Sequence, residues 1–382
     1  MAHITILTDQ TNALSFRLQP VHVSIANSIR RVLLSEIDMV VVISYPHDAN
    51  NCHITINTSR FTNEFLKQRI SSIPIHLNTE VAADNEGKEE EDDQDDEDAS
   101  SQQIWQAYQI KCNKKNTSNQ MIVITSEDLE LVHKVSGEKL NKTLRDQVFP
   151  PDEHGYFIDI LRLRPELANS IPGEEIEFTC DMSISNAKHN SMYNTVSKAT
   201  YENTPDKEKA LQVWSEIELT QKGKEDSTTT KENWFLLDAK RHFIPNSFDF
   251  TIETIGVSTN KQLLNLAVQK MIDKLTAITQ NSDSPINESP STIKNCYDVT
   301  LQNEDYTLGK VLEYLIYSMY FEGAELVTYV GFRKEHPHDD DSIIRIGFKA
   351  QTDKHLAREY LIRAAAQGIE LYSDISKQIA NL

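Results

Sequence analysis

VHVSIANSIRRVLLSEI (Val21–Ile37) is the stretch that decides the fold. Laid on a helix at about 100° per residue, Val21, Ile25, Val32, Leu33 and Ile37 fall within about 80° of Ile29. That is one continuous apolar stripe for a core. Arg31 lies on the far side, and Asn27, Arg30, Arg31 and Leu34 make a second, mixed face. A stripe alone would mean burial. A stripe backed by arginines and a leucine suggests contact with something else. Far down the chain, NEDYTLGKVLEYLIYSMY (Asn303–Tyr320) repeats the pattern. With Leu308 as origin, Val311, Leu312, Leu315 and Met319 lie within about 60°. Each helix starts polar and adjoins a run that reads as a strand. Together they look like two halves of one pairing platform, with Ile25, Ile29 and Leu33 on one side and Leu308, Leu312, Leu315 and Met319 on the other.

Around the first helix, residues 1–20 alternate as a strand does, and Met39–Pro46 reads as a buried strand stopped by proline. Phe61, Phe65, Leu66 and Ile70 fit a short helix that Pro74 ends. IWQAYQIKC and MIVIT, either side of NKKNTSN, read as a hairpin between Trp105 and Thr125. Phe157–Leu167 and Glu174–Ile184 add two more strands. Phe248–Gly256 alternates strongly. A helix follows, with Leu264, Ala267, Val268, Met271, Leu275 and Ile278 at helical spacing. Gln280–Thr292 is polar with two prolines and reads as a linker. The last stretch orders as strand, helix, strand, strand, helix, the final helix being Lys354–Ile379. The expected division is a discontinuous domain of 1–46 and 196–279, a β-rich insertion of 47–195, a linker of 280–292 and a module of 293–382. This is an α+β protein.

Composition limits the chemistry. A chain of 382 residues has room for two or three domains. Asp84–Asp98 holds eleven acidic residues and one lysine, a net of −10 within a chain total of −20. Such a run repels itself and cannot bury surface, so a disordered acidic loop is expected over 84–100. Its other reading is a tail for a basic partner. No cluster of five or more basic residues occurs, so contact with DNA or RNA is expected only through partners. Cys52, Cys112, Cys180 and Cys296 include no C-x-x-C, so no local zinc or iron–sulfur site can be argued. Spread thiols fit a reducing compartment. No signal peptide and no membrane span are expected.

Catalytic signals are sparse. Asp339-Asp340-Asp341 is the only compact carboxylate triplet outside the acidic run. Consecutive residues point different ways and cage a metal poorly, so His336–Asp341 reads as a turn. No phosphate-cradling glycine motif and no nucleophile elbow occur. His189 reads as a structural or surface histidine. Gly309, early in a helix, is either tolerated or marks close approach of the partner helix, and the second reading is preferred. Arg30 and Arg31 are either solvated or forks for a partner's carboxylates. No cofactor and no metal are expected.

NSIRRVLLSEI, NTSRFTNEFLKQRISSIPI, GEEIEFTCDMSISNAKHNSMYNTVSKATY and FDFTIETIG resemble, in that order, the third-largest subunit of RNA polymerase II and its archaeal relatives. The bacterial polymerase alpha subunit is a more distant match. NEDYTLGKVLEYLI and EHPHDDD resemble the small eleventh subunit, a separate chain that pairs with the third in cellular enzymes. The resemblance implies an alpha-subunit-like dimerisation core of helices on antiparallel sheets, interrupted by the β-rich insertion. A fused C-terminal α/β module would then complete an intramolecular pseudo-heterodimer. Such fusions look like those of large cytoplasmic DNA viruses, which implies a virion and host-cytoplasm location if the chain is viral and the nucleus otherwise.

The function so implied is a non-catalytic assembly platform of a DNA-directed RNA polymerase. It would seat the largest and second-largest subunits and a small tenth-subunit-like protein, with no membrane and no homodimer. By family position, Arg30 and Arg31 are expected to touch the second-largest subunit; Asn27 and Leu34 on the same helix face, with Glu64 and Arg69, complete the expected partner-facing residues. Many relatives carry a four-cysteine zinc loop or an iron–sulfur domain in the insertion, whereas this chain has only three spread cysteines there, Cys52, Cys112 and Cys180. The rival readings are a free-standing acidic adaptor or chaperone and a Mg²⁺-dependent nucleic-acid enzyme.

Overall fold

The computed structural model describes residues 2–77, 105–166, 172–220, 227–280 and 285–381. The acidic run Asp84–Asp98 lies outside the described residues. The chain begins β1 (His3–Asp9), β2 (Ala13–Gln19), α1 (Val23–Ser35), β3 (Met39–Val41), β4 (Cys52–Asn57) and α2 (Asn63–Ser71). Next come β5 (Tyr108–Lys115), β6 (Ile122–Thr125), β7 (Glu130–His133), α3 (Lys142–Val148), β8 (Asp159–Leu163), β9 (Glu175–Asp181) and β10 (Ser183–Ser185). Then follow β11 (Val196–Pro205), α4 (Lys207–Thr220), α5 (Ser227–Leu236), β12 (Phe243–Thr254) and α6 (Asn260–Gln280). The rear of the chain is β13 (Ile286–Glu288), β14 (Cys296–Leu301), α7 (Tyr306–Ile316), β15 (Val327–Arg333), β16 (Ser342–Phe348) and α8 (Lys354–Ala380). It is an α+β protein whose described sheets are all antiparallel.

The structure divides into two units. The first comprises residues 1–34, 196–254 and 259–382. One of its sheets has the order β1-β2-β12-β11 and the other β13-β14-β16-β15. Period-two patterning places Leu14, Phe16 and Leu18 of β2 and Phe248, Phe250 and Ile252 of β12 in the core. Register sets Phe16 opposite Phe250, and their rings stack at 4.9 Å. On the other face, the neighbouring register pair is Arg17 and Asp249, bonded through both carboxylate oxygens at 2.7 and 2.9 Å. The Arg17 guanidinium holds the Asp249 carboxyl below its ordinary range. The second sheet repeats this device with Arg345 on Asp298, both bonds at 2.7 Å. Helix α6 packs along α8, and α7 packs on α8 and β15.

The second unit comprises residues 35–195 and 255–258. Its four-stranded sheet has the order β4-β9-β5-β7, with the two-stranded pairs β6-β8 and β10-β3 beside it. Cys52, Ile110, Cys112, Ile176, Phe178 and Cys180 line one buried sheet face within a core that also takes Leu66 and Ile70 of α2. Thr62 caps α2 by accepting from the Phe65 amide.

Several sequence expectations change here. Residues 1–20 form two strands, because the Gln10 amide closes a turn on the Ala13 carbonyl at 2.8 Å. Residues 35–46, expected in the front domain, belong to the second unit. There β3 pairs with β10, and the Tyr193 hydroxyl donates to the Val42 carbonyl. The runs between Trp105 and Thr125 are not a hairpin: β5 pairs with β9 and β7, while β6 pairs with β8. Buried Asn116 diverts the chain between them, its amide donating to the Gln120 and Leu163 carbonyls. The expected linker 280–292 contains β13, which pairs with β14 because Ile286–Glu288 continues an open sheet edge. Helix α7 does not run regularly to Tyr320; residues Tyr317–Gly323 wind as a π-helix.

Candidate functional site

The apolar stripes are buried where the first unit is assembled. Ile25, Ile29 and Leu33 of α1 are buried, as are Leu308, Leu312 and Leu315 of α7. Met319 is only half-buried. The wider π winding after Ile316 turns Tyr320 inward instead, and its ring stacks on Tyr360 of α8 at 3.7 Å. Asp305 caps α7, accepting from the Thr307 amide at 2.8 Å, and Asp353 caps α8.

What joins front to rear is a set of residues that periodicity does not single out. Ser28, inside the α1 stripe, meets the hydroxyl of fully buried Tyr372 on α8 at 2.5 Å. The Ser28 proton is spent on the Ile25 carbonyl, so Tyr372 is the donor to Ser28. Burial pushes the Tyr372 phenol well above its ordinary value. Arg31 reaches the N-terminus of α7, donating to Asp305 at 2.6 Å and to the Thr307 hydroxyl at 2.8 Å. Burial alone would raise the Asp305 carboxyl, but the Thr307 bonds and Arg31 outweigh it and hold the group below its ordinary value. His22 stacks flat on Tyr314 at 3.8 Å, and burial lowers its pKa. Lys274 of α6 bonds Glu304 at 3.0 Å.

Gly368 lets three helices meet. A Cβ there would lie 2.9 Å from a Leu275 methyl of α6 and 3.1 Å from a Leu315 methyl of α7. Gly309, read from sequence as the point of approach for a partner helix, faces Phe332 of β15 in its own module instead. The useful cue for Gly368 was a glycine in the middle of a 27-residue helix.

The expected partner-facing residues divide. Arg30 bonds Asn27 on the half-buried face of α1, with Leu34 half-buried beyond them. Arg31 is engaged by Asp305 and Thr307 within the first unit. In the second unit Glu64 is exposed on α2. Arg69 is turned inward, donating to the Ile160 and Asp159 carbonyls with Phe61 and Phe65 about 6 Å from its guanidinium. His336–Asp341 forms a turn in which Asp339 accepts from the His336 amide. His189 is exposed. Among the described residues no three His, Cys, Asp or Glu side chains are placed to hold a metal, and no helix is long and apolar enough to cross a membrane.

Two antiparallel sheets with front and rear helices interlocked through hydroxyl, carboxylate and glycine contacts define an α+β protein whose front and rear share one core. The RNA polymerase Rpb3/Rpb11 dimerisation domain matches residues 15–275, and the chain belongs to that family. The match ends before the rear module. The protein named DNA-directed RNA polymerases I and III subunit rpac1 of Dictyostelium discoideum is 23% identical over 309 residues, which cover 74% of this chain and 83% of the relative. DNA-directed RNA polymerase II subunit RPB3 of Schizosaccharomyces pombe is 37% identical over 73 residues, 19% of this chain and 22% of the relative. A conjugation stage-specific protein of Tetrahymena thermophila is 25% identical over 207 residues, 50% of this chain and 56% of the relative.

Proposed function

We propose that this chain is a non-catalytic assembly platform of a multisubunit DNA-directed RNA polymerase, with the mate of its dimerisation domain carried on the same polypeptide. The observation that carries the reading is the shared core of the first unit. Ser28, Arg31 and Leu275 of the front meet Tyr372, Asp305 and Gly368 of the rear. In a family named for dimerisation, a rear segment outside the family match that fills the place of a partner supports a fused pair. Fusion makes pairing unimolecular. A short tether sets an effective concentration on the order of millimolar, so the pair resists dilution.

With the internal mate in place, the half-buried α1 face of Asn27, Arg30 and Leu34 is left for a large catalytic subunit. Exposed Glu64 with Phe61 and Phe65 on the second unit suits a small tenth-subunit-like protein or the second-largest subunit. Relatives named as polymerase subunits in an amoeba and a yeast favour a nuclear location over a virion. Affinity purification of the tagged chain from its own cells at gentle salt tests the reading. Two very large polymerase subunits should copurify, identified by mass spectrometry. A chain that runs alone or with unrelated partners overturns it.

A further inference from the structure

Three of the four thiols share the buried face of one sheet, and two of them are direct cross-strand neighbours. Cys52 opens β4 and pairs in register with Cys180 of β9; Cys112 of β5 sits opposite Phe178, diagonal to Cys180. The geometry of the Cys52–Cys180 pair is set by the hydrogen bonds on either side. The Asp181 amide donates to the Asn51 carbonyl at 2.9 Å, which puts the ladder bond at 51 and 181, while the Asn51 amide turns away to the Ile43 carbonyl. The Cys52 amide turns to the Asn50 side chain instead of crossing the ladder. Positions 52 and 180 are therefore a non-hydrogen-bonded pair, the closely spaced kind with Cα atoms about 4.5 Å apart. That spacing falls inside the range a disulfide needs, about 4.4–6.8 Å.

We propose that Cys52 and Cys180 are a dithiol modification site that closes to a cross-strand disulfide under a two-electron oxidant of the disulfide class, such as oxidised glutathione. Hydrogen bonding between the two thiols lowers the Cys52 pKa, and burial together with that bond raises Cys180 well above its ordinary value. Cys52, on the edge strand, is the thiol an incoming oxidant meets first, and it is the one that attacks. Its sulfur displaces one glutathione thiolate to give a mixed disulfide. Cys180 then attacks the Cys52 sulfur and releases the second glutathione. Two protein thiols are oxidised, one glutathione disulfide is reduced to two thiols, and the two thiol protons pass to the leaving thiolates.

Access comes from position. Cys52 is the first residue of a six-residue strand at the edge of its sheet; both thiols are buried, and the oxidant reaches them when that edge strand opens locally. Burial pushes the Cys112 thiol up to about 12, which keeps it protonated and out of the exchange. The bridge would tie the edge strand to the sheet and close the 52–180 loop.

The test uses the full chain, purified reduced and treated with oxidised glutathione. Free thiols are counted in denaturant, and non-reduced digests are mapped by mass spectrometry. Four free thiols should fall to two. A Cys52–Cys180 peptide pair should appear and disappear with dithiothreitol. Cys112→Ser should behave as wild type, and Cys52→Ser should keep its remaining three thiols. A bridge to Cys112 or Cys296, or four thiols that oxidise only after urea unfolding, overturns the proposal. The wild-type map decides even if a serine variant fails to fold.

Discussion

Replacing Ser28 and Tyr372 singly and together probes the seam between α1 and α8. Ser28→Ala leaves the Tyr372 hydroxyl fully buried with no acceptor at that position. An orphaned buried donor costs about 2 kcal/mol. Tyr372→Phe removes only the donor, because Ser28 keeps its bond to the Ile25 carbonyl at 2.7 Å. That loss is about 1 kcal/mol. In the double variant neither polar group is stranded by the other, so the cost stays near 1 kcal/mol rather than the additive sum of about 3. Hydrogen exchange of the α1 amides reads this locally, which suits a chain of two units better than a single global melt. Ser28→Ala should speed exchange roughly 30-fold, and adding Tyr372→Phe should bring it back to roughly 5-fold, since 1.4 kcal/mol is about tenfold. Strict additivity across the three variants would refute the reasoning, because it would mean the two side chains do not share one contact.

Further outcomes follow from the same seam. His22 and Asp305 both have folded-state pKa values below their ordinary ones. Each therefore adds stability that is present above its unfolded pKa and lost as pH falls through its folded value. Acid titration should loosen α1 and α7 in two stages, the first beginning below about pH 6.5 and the second below about pH 3.9. His22→Asn should abolish the first stage, and a profile unchanged by that substitution would contradict the assignment. Gly309→Ala puts a methyl group 2.0 Å from Cε2 of Phe332, so the ring must swing off Tyr306. Overpacking should exceed the helix-propensity gain and lower stability by about 1–2 kcal/mol in urea melts, whereas a stabilised variant would exclude the contact. Leu312→Asp with Leu315→Asp strands two charges in the core at several kcal/mol each, and soluble, cooperatively folding protein would show that the helix is misplaced.

Much of the pairing helices was legible because burial enforces period: Ile25, Ile29, Leu33, Leu308, Leu312 and Leu315 were all identifiable from spacing alone. Met319 was not, because period assumes α winding and the chain changes to a π-helix at Tyr317. The role of Arg31 was hidden for a different reason. Its partner Asp305 lies 274 residues away, and no local rule pairs them. The false hairpin at Trp105–Thr125 arose because alternation marks a strand but not its neighbour. Helices α4 and α5 were missed altogether. Neither presents a strong apolar stripe, and their small cluster of Trp214, Trp234 and Phe235 depends on rings from both helices. Ser28 and Gly368 are the instructive cases. A small polar residue inside a stripe and a glycine inside a long helix look like weaknesses in sequence, yet each is a point where another helix makes close contact.

Splitting the polypeptide tests the central claim most directly. Residues 1–280 and 285–382 are coexpressed as separate chains, with a tag on only one. Burial across α1, α6, α7 and α8 predicts recovery of both pieces at one-to-one stoichiometry. That recovery should persist at salt concentrations that screen the Arg31–Asp305 and Lys274–Glu304 pairs. Two pieces that each stay soluble and folded yet never copurify would contradict it.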